Sequence, residues 1–129
     1  MGLFNKLFNS SSVTNEDTEL PWIPLVSISQ LDDIKSKSLT KTQLIFKHST
    51  RCGISSMVMR QISNGFTFTE NEFDLYYLDV LRYRDVSNLV AETFQVFHES
   101  PQLLIIKNSV LLAHYSHGAI NDMDLTRFV

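Results

Sequence analysis

The stretch Gln43-Leu44-Ile45-Phe46-Lys47-His48-Ser49-Thr50-Arg51-Cys52-Gly53-Ile54-Ser55 changes periodicity half-way. Residues 43–46 form an apolar-rich run of strand type, and 47–51 read as a short loop. From Ile54 the apolar positions Ile54, Met57, Val58 and Ile62 follow helical spacing, and Asn64-Gly65 ends the helix. The join carries Cys52, the only cysteine in the chain. A cysteine at a helix N-terminus meets unpaired N–H groups and the positive end of the helix dipole, and both favour thiolate over thiol. Arg51, Lys47 and a protonated His48 would add positive charge. A cysteine that is only a small buried hydrophobe needs none of these neighbours. The stretch therefore predicts a reactive thiol with a lowered pKa.

Downstream, 73–80 (FDLYYLDV) reads as a strand, and Asp85 or Ser87 caps a helix carrying Leu89, Val90, Phe94 and Phe97. After Pro101, the apolar runs 102–106 and 110–115 flank a Lys107-Asn108-Ser109 turn, which predicts an antiparallel hairpin. Gly118 opens a last helix from 119 to about 127. Upstream, Pro21-Trp22-Ile23-Pro24 imposes extended backbone, with Trp22 as a core lid. Residues 25–28 form a short strand, and Ser29 caps a helix that turns Leu31 and Ile34 inward. Residues 9–18 are small, polar and acidic, so 1–19 read as a flexible tail and 20–129 as one domain. Within the tail, Leu3, Phe4, Leu7 and Phe8 either make a short docking helix or fray. The order βα-βα-βα-ββα predicts an α/β domain with a mixed central sheet and helices on both faces. The thioredoxin fold has this arrangement, with its reactive thiol in the loop where Cys52 falls.

Composition narrows the chemistry. The chain has 129 residues, 43% of them hydrophobic, a net charge of −3 and a pI near 5.7. No positive field points to nucleic acid or an anionic membrane. No apolar run approaches the roughly 18 residues that cross a bilayer, and residues 1–8 lack a signal-peptide core, so a cytoplasmic location is expected. One cysteine excludes an intramolecular disulfide and an all-cysteine metal cage within a protomer. His114 and His117, three apart at a strand end, point to opposite faces, and no metal site is expected there. Asp79 beside Leu81-Arg82-Tyr83-Arg84 reads as half of a structural ion pair.

Cys52-x-x-Ser55 is a CxxC redox motif with serine in the second position. Such a site cannot close its own disulfide. It must form a mixed disulfide with another molecule and await an external thiol. Ser55 either offers its hydroxyl to the thiolate or caps the helix. The fold match makes Pro101 a cis-proline beside the reactive thiol, with Ser100 presenting backbone to an extended substrate. Amides after Gly118 either receive a cosubstrate carboxylate or simply complete a turn. The candidate site is thus Cys52 as nucleophile, with Ser55, Arg51 and Gly53 supporting the thiolate. Thr50, Lys47, Ser100, Pro101 and Gly118 are the candidates for substrate or thiol binding.

The run from Lys47 to Ser55 closely resembles the active-site stretch of the bacillithiol-system YtxJ family, the monothiol bacilliredoxins. Leu20-Pro21-Trp22, Tyr77-Leu78-Asp79, Glu99-Ser100-Pro101-Gln102 and Ser116-His117-Gly118 resemble that family too, over residues 20–125. The resemblance implies a thioredoxin-like fold and a role in bacillithiol redox homeostasis. Its members are thought to take bacillithiol off modified cysteines, with Cys52 in the attacking position. It implies no bound cofactor, bacillithiol as cosubstrate, bacillithiolated proteins and a low-molecular-weight thiol as partners, and a monomer or weak homodimer. One departure is Gly53, where members often carry proline or serine. Cys-Gly-Ile-Ser is one residue from the Cys-Gly-Phe-Ser of monothiol glutaredoxins, which opens the alternative of a [2Fe–2S] cluster held between two protomers.

Overall fold

In the computed structural model the described residues are 21–49, 53–65, 72–122 and 124–128. The order of elements is β1 (Ile23–Pro24), α1 (Gln30–Lys37), β2 (Thr42–His48), α2 (Gly53–Gly65), β3 (Phe73–Asp79), α3 (Arg84–Phe94), β4 (Gln102–Lys107) and β5 (Val110–Ser116). Two short 3-10 segments, His117–Asp122 and Leu125–Phe128, complete it. The five strands lie in the order β1-β3-β2-β4-β5. β1 and β2 run parallel to β3, while β4 runs antiparallel to both β2 and β5. This is the mixed sheet expected from strand–helix alternation followed by a hairpin.

β2 is central and buried along its whole length. Its side chains alternate between two cores because successive residues of a strand face opposite ways. Ile45 joins Leu31 and Ile34 of α1 and Val86, Val90 and Phe94 of α3 on one face. Leu44 and Phe46 join Val58 of α2 and Ile120 on the other. Helices on both faces therefore sandwich the sheet, and the apolar area removed from water on each side drives the assembly.

Several local expectations are corrected. The first strand is Ile23–Pro24, not 25–28. Pro24 is tolerated because β1 is an edge strand. The chain then leaves the sheet because Gln30 Oε1 accepts the N–H groups of Val26 (2.7 Å) and Ser27 (3.0 Å). Ser29 occupies the N-cap of α1 without a side-chain cap bond, so Gln30 organises that end. On α2 the inward stripe is Ser55, Val58, Met59 and Ile62, and Met57 is exposed. α3 begins after Tyr83, which makes no side-chain cap bond, and neither Asp85 nor Ser87 is its cap. It ends at Gln95, whose φ of 53° is left-handed, so Phe97 lies beyond the helix and is 91% exposed. The expected final helix is replaced by the two 3-10 segments, which Ile120 anchors in the core and Thr42 Oγ1 ties down by donating to the Phe128 carbonyl (2.6 Å).

The hairpin turn is Asn108-Ser109, with φ of 55° and 67°. Two left-handed central residues match the twist of a two-residue hairpin. Asn108 and Ser109 donate their N–H groups to the Ser38 carbonyl and hydroxyl (2.8 and 2.9 Å), which fixes the turn to the end of α1.

Candidate functional site

β2 ends at His48, and after four intervening residues the chain enters α2 at Gly53. Thr50, Arg51 and Cys52, three of the residues singled out from the sequence, lie outside the described residues. Their two flanks are bound to each other. Ser55, in the first turn of α2, is fully buried, and its Oγ accepts the Ser49 N–H at 3.1 Å. The same Oγ lies 2.7 Å from His48 Nδ1. One hydroxyl therefore ties the last residue of the strand and the first residue of the loop to the start of the helix.

His48 sits in an aromatic nest. Its ring stacks on Phe46 (5.9 Å between centroids) and lies 5.5 Å from Tyr77, while Trp22 contacts Phe46 and Tyr77. Burial pushes the imidazole pKa below 6.5, with Asp79 and the Ser55 backbone opposing that shift. His48 is thus neutral at pH 7, which corrects the expectation of a protonated His48 beside the thiol. Asp79 is also reassigned from the ion pair expected of it: its Oδ1 accepts the N–H groups of Leu81 (3.1 Å) and Arg82 (3.3 Å) and shapes the turn after β3.

The second flank of the site comes from β4. Gln102 pairs with Lys47 in antiparallel register, which sets Pro101 opposite His48 at the same end of the sheet. The Ser100–Pro101 peptide is cis. Pro101 is buried, and its carbonyl accepts the His117 N–H at 3.0 Å. The 3-10 segment that follows packs on α2. The end of β2, the start of α2, Ser100–Pro101 and His117 therefore converge on one edge of the domain. Ser100 Oγ, buried there, has no hydrogen-bond partner among the described residues.

Three further candidates are placed as follows. Gly53 is exposed at the first position of α2, without a left-handed φ and with open space where a Cβ would stand. Gly118 is also exposed with open space and an ordinary φ, and the left-handed residue of that turn is His117 at 55°. The segment that contains it is a six-residue 3-10 turn beginning at His117, not the α-helix expected after Gly118. Lys47 is corrected most sharply. It is fully buried on the face of β2 opposite His48, so its ammonium is not available to a ligand's carboxylates. Strand alternation is the physical reason. Among the described residues no group of three or more His, Cys, Asp or Glu could hold a metal ion, and no helix is long and apolar enough to cross a membrane.

Residues 23–125 match the family described as monothiol bacilliredoxin BrxC. The chain belongs to the monothiol bacilliredoxin family. Among solved structures, this bacilliredoxin is similar to one described provisionally as an oxidoreductase with a thioredoxin fold. The two are 33% identical, with a TM-score of 0.69 and coverage of 81% of this chain and 90% of that one. It also resembles thioredoxin from Schistosoma mansoni (16% identity, TM-score 0.62, 84% and 95% covered). Thioredoxin from Trypanosoma brucei brucei is similar as well (14% identity, TM-score 0.58, 78% and 82% covered). These two matches show the thioredoxin fold, and the family adds a thiol redox function to it.

Proposed function

We propose that this protein is a monothiol thiol–disulfide oxidoreductase that removes bacillithiol from protein mixed disulfides in the cytoplasm. The observation that carries the proposal is the single cysteine of Cys52-Gly53-Ile54-Ser55, directly before α2, in a chain of the monothiol bacilliredoxin family. The Cys52 thiolate attacks the bacillithiol sulfur of the mixed disulfide. The substrate's S–S bond breaks, its protein thiolate leaves and takes a proton, and a Cys52–bacillithiol disulfide forms. With no second cysteine in the chain, a low-molecular-weight thiol attacks that adduct and restores Cys52. No electrons are gained or lost overall, because one disulfide replaces another at each step.

Arg51 and the free amides at the start of α2 favour the thiolate, and Thr50 and the Ser100–Pro101 backbone meet the substrate chain. Ser55 holds the ends of the cysteine segment together through His48 and Ser49. The test exposes reduced protein separately to the disulfides of bacillithiol and of glutathione and reads the intact mass. A Cys52 adduct of bacillithiol formed faster than that of glutathione supports the reading. Equal rates, or no adduct, contradict it. The competing reading, a [2Fe–2S] cluster between two protomers, is favoured only by Gly53, and a brown protein from air-free purification would support it.

A further inference from the structure

Lys47 is fully buried, yet its ammonium has defined partners. Nζ donates to the Ser87 carbonyl of α3 at 3.1 Å and lies 3.2 Å from His98 Nδ1. An ammonium only donates, so His98 Nδ1 must offer its lone pair, and the ring proton sits on Nε2. Ser87 Oγ approaches the same Nδ1 at 3.0 Å. One residue earlier, the Phe97 carbonyl accepts Gln102 Nε2 at 3.0 Å. Lys47 and Gln102 are register partners on β2 and β4. Two buried side chains on neighbouring strands therefore hold residues 97 and 98 from beneath, and that segment runs directly into Ser100–Pro101. Among the described residues no carboxylate pairs with Lys47.

We propose that Lys47 is a positioning residue: it clasps His98, fixes the 97–101 segment that carries Ser100 and Pro101, and lets go when His98 is protonated on Nδ1. The role in substrate handling rests on the exchange reading above, whereas the clasp itself rests on the geometry of Lys47, Ser87 and His98. Protonation would turn Nδ1 from an acceptor into a donor aimed at an ammonium. The groups facing His98 are Lys47 from β2 and Ser87 and Arg84 from α3, with Glu99 next to it on its own segment. Burial, then Lys47, then Arg84 push the His98 pKa below 6.5, so release belongs on the acid side of that value. A buried ammonium costs desolvation that a methionine of similar length would not, so stability alone does not account for a lysine here.

The test follows the His98 ring and the backbone amides of Phe97, His98, Glu99 and Ser100 by NMR across pH, in the wild type, Lys47→Met and His98→Asn. In the wild type the ring should titrate below 6.5 and the four amides should shift with the same midpoint. In Lys47→Met the His98 midpoint should rise by at least about half a pH unit. His98→Asn offers a carbonyl acceptor without a titration, so the amides should stop responding to acid. An unchanged His98 midpoint in a folded Lys47→Met overturns the clasp. If Lys47→Met does not fold, amides that still titrate below 6.5 in His98→Asn overturn it. The exchange rate with a bacillithiol mixed disulfide should fall on the acid side in the wild type, and in His98→Asn should lose any part of that fall that tracks the His98 midpoint. Coupled titrations without any exchange would remove the exchange reading and leave the clasp standing. Exchange without coupled titrations would remove the clasp.

Discussion

His48 Nδ1 and Ser55 Oγ lie 2.7 Å apart, across the segment that carries Cys52, and the same hydroxyl oxygen accepts the Ser49 N–H. A hydroxyl has one proton and two lone pairs, so Ser55 completes both contacts at once. Ser55→Ala leaves a buried imidazole nitrogen and a backbone N–H without that partner. It should destabilise the fold by about 1–3 kcal/mol in denaturant titration. Exchange at Cys52 should slow without being lost. A stability change under about 0.5 kcal/mol would mean that the contact does not hold the loop.

Burial lowers the Lys47 pKa from its ordinary 10.5 to about 8. Between those values the unfolded chain binds the extra proton, so this group's contribution to stability rises with pH and is least favourable below pH 8. Lys47→Met should accordingly be as stable as the wild type, or more so, at pH 7. The advantage of the variant should shrink by up to about 3 kcal/mol as pH rises from 8 to 10.5. Unfolding free energies measured for both proteins at pH 7 and pH 10 check the sign. An advantage that stays constant with pH would contradict a buried ammonium.

Gly53 sits exposed at the start of α2 with no left-handed φ and no neighbour where a Cβ would be. Gly53→Ala should raise stability by roughly 0.4–1 kcal/mol, mainly by restricting the unfolded chain. A lowered thermal midpoint would show that glycine is needed there for a reason other than space.

The helices of this fold are readable because their apolar residues keep a period near 3.6, and the central strands β2 and β4 because they are continuous apolar runs buried on both faces. The errors have particular causes. Ser55 belongs to the inward stripe of α2, and a pattern search for apolar residues passes over it and picks Met57 instead. Phe97 looks like the next inward residue of α3, but the left-handed Gln95 has already turned the chain away. Lys47 and His48 read from the sequence as loop, but both belong to β2, where alternation places them on opposite faces. His98 carried no local signal at all, because its partner Lys47 lies 51 positions earlier. Cys52 stands out for the opposite reason, its local CxxS motif, whereas the cis Pro101 follows from the fold match, since a Ser-Pro dipeptide alone is ordinarily trans.

Cys52 should be thiolate-rich at neutral pH, since the amides at the start of α2 and the neighbouring Arg51 favour the charged form. The rate of alkylation by iodoacetamide should rise to its plateau with a midpoint below the ordinary thiol value of about 8.5. Arg51→Gln should move that midpoint up, whereas His48, held neutral by burial, contributes no charge to it. A wild-type midpoint at or above about 8.5 would contradict an activated thiol.

Cys52 should take bacillithiol from a protein and keep it until a free thiol arrives. Mixing the reduced protein with a bacillithiolated substrate protein, and following both intact masses, tests it in one measurement. The substrate should lose one bacillithiol while this chain gains one. The adduct should persist until a low-molecular-weight thiol is added, and Cys52→Ser should abolish the transfer. Release of the substrate without any adduct on Cys52, or equal transfer by Cys52→Ser, would contradict the mechanism.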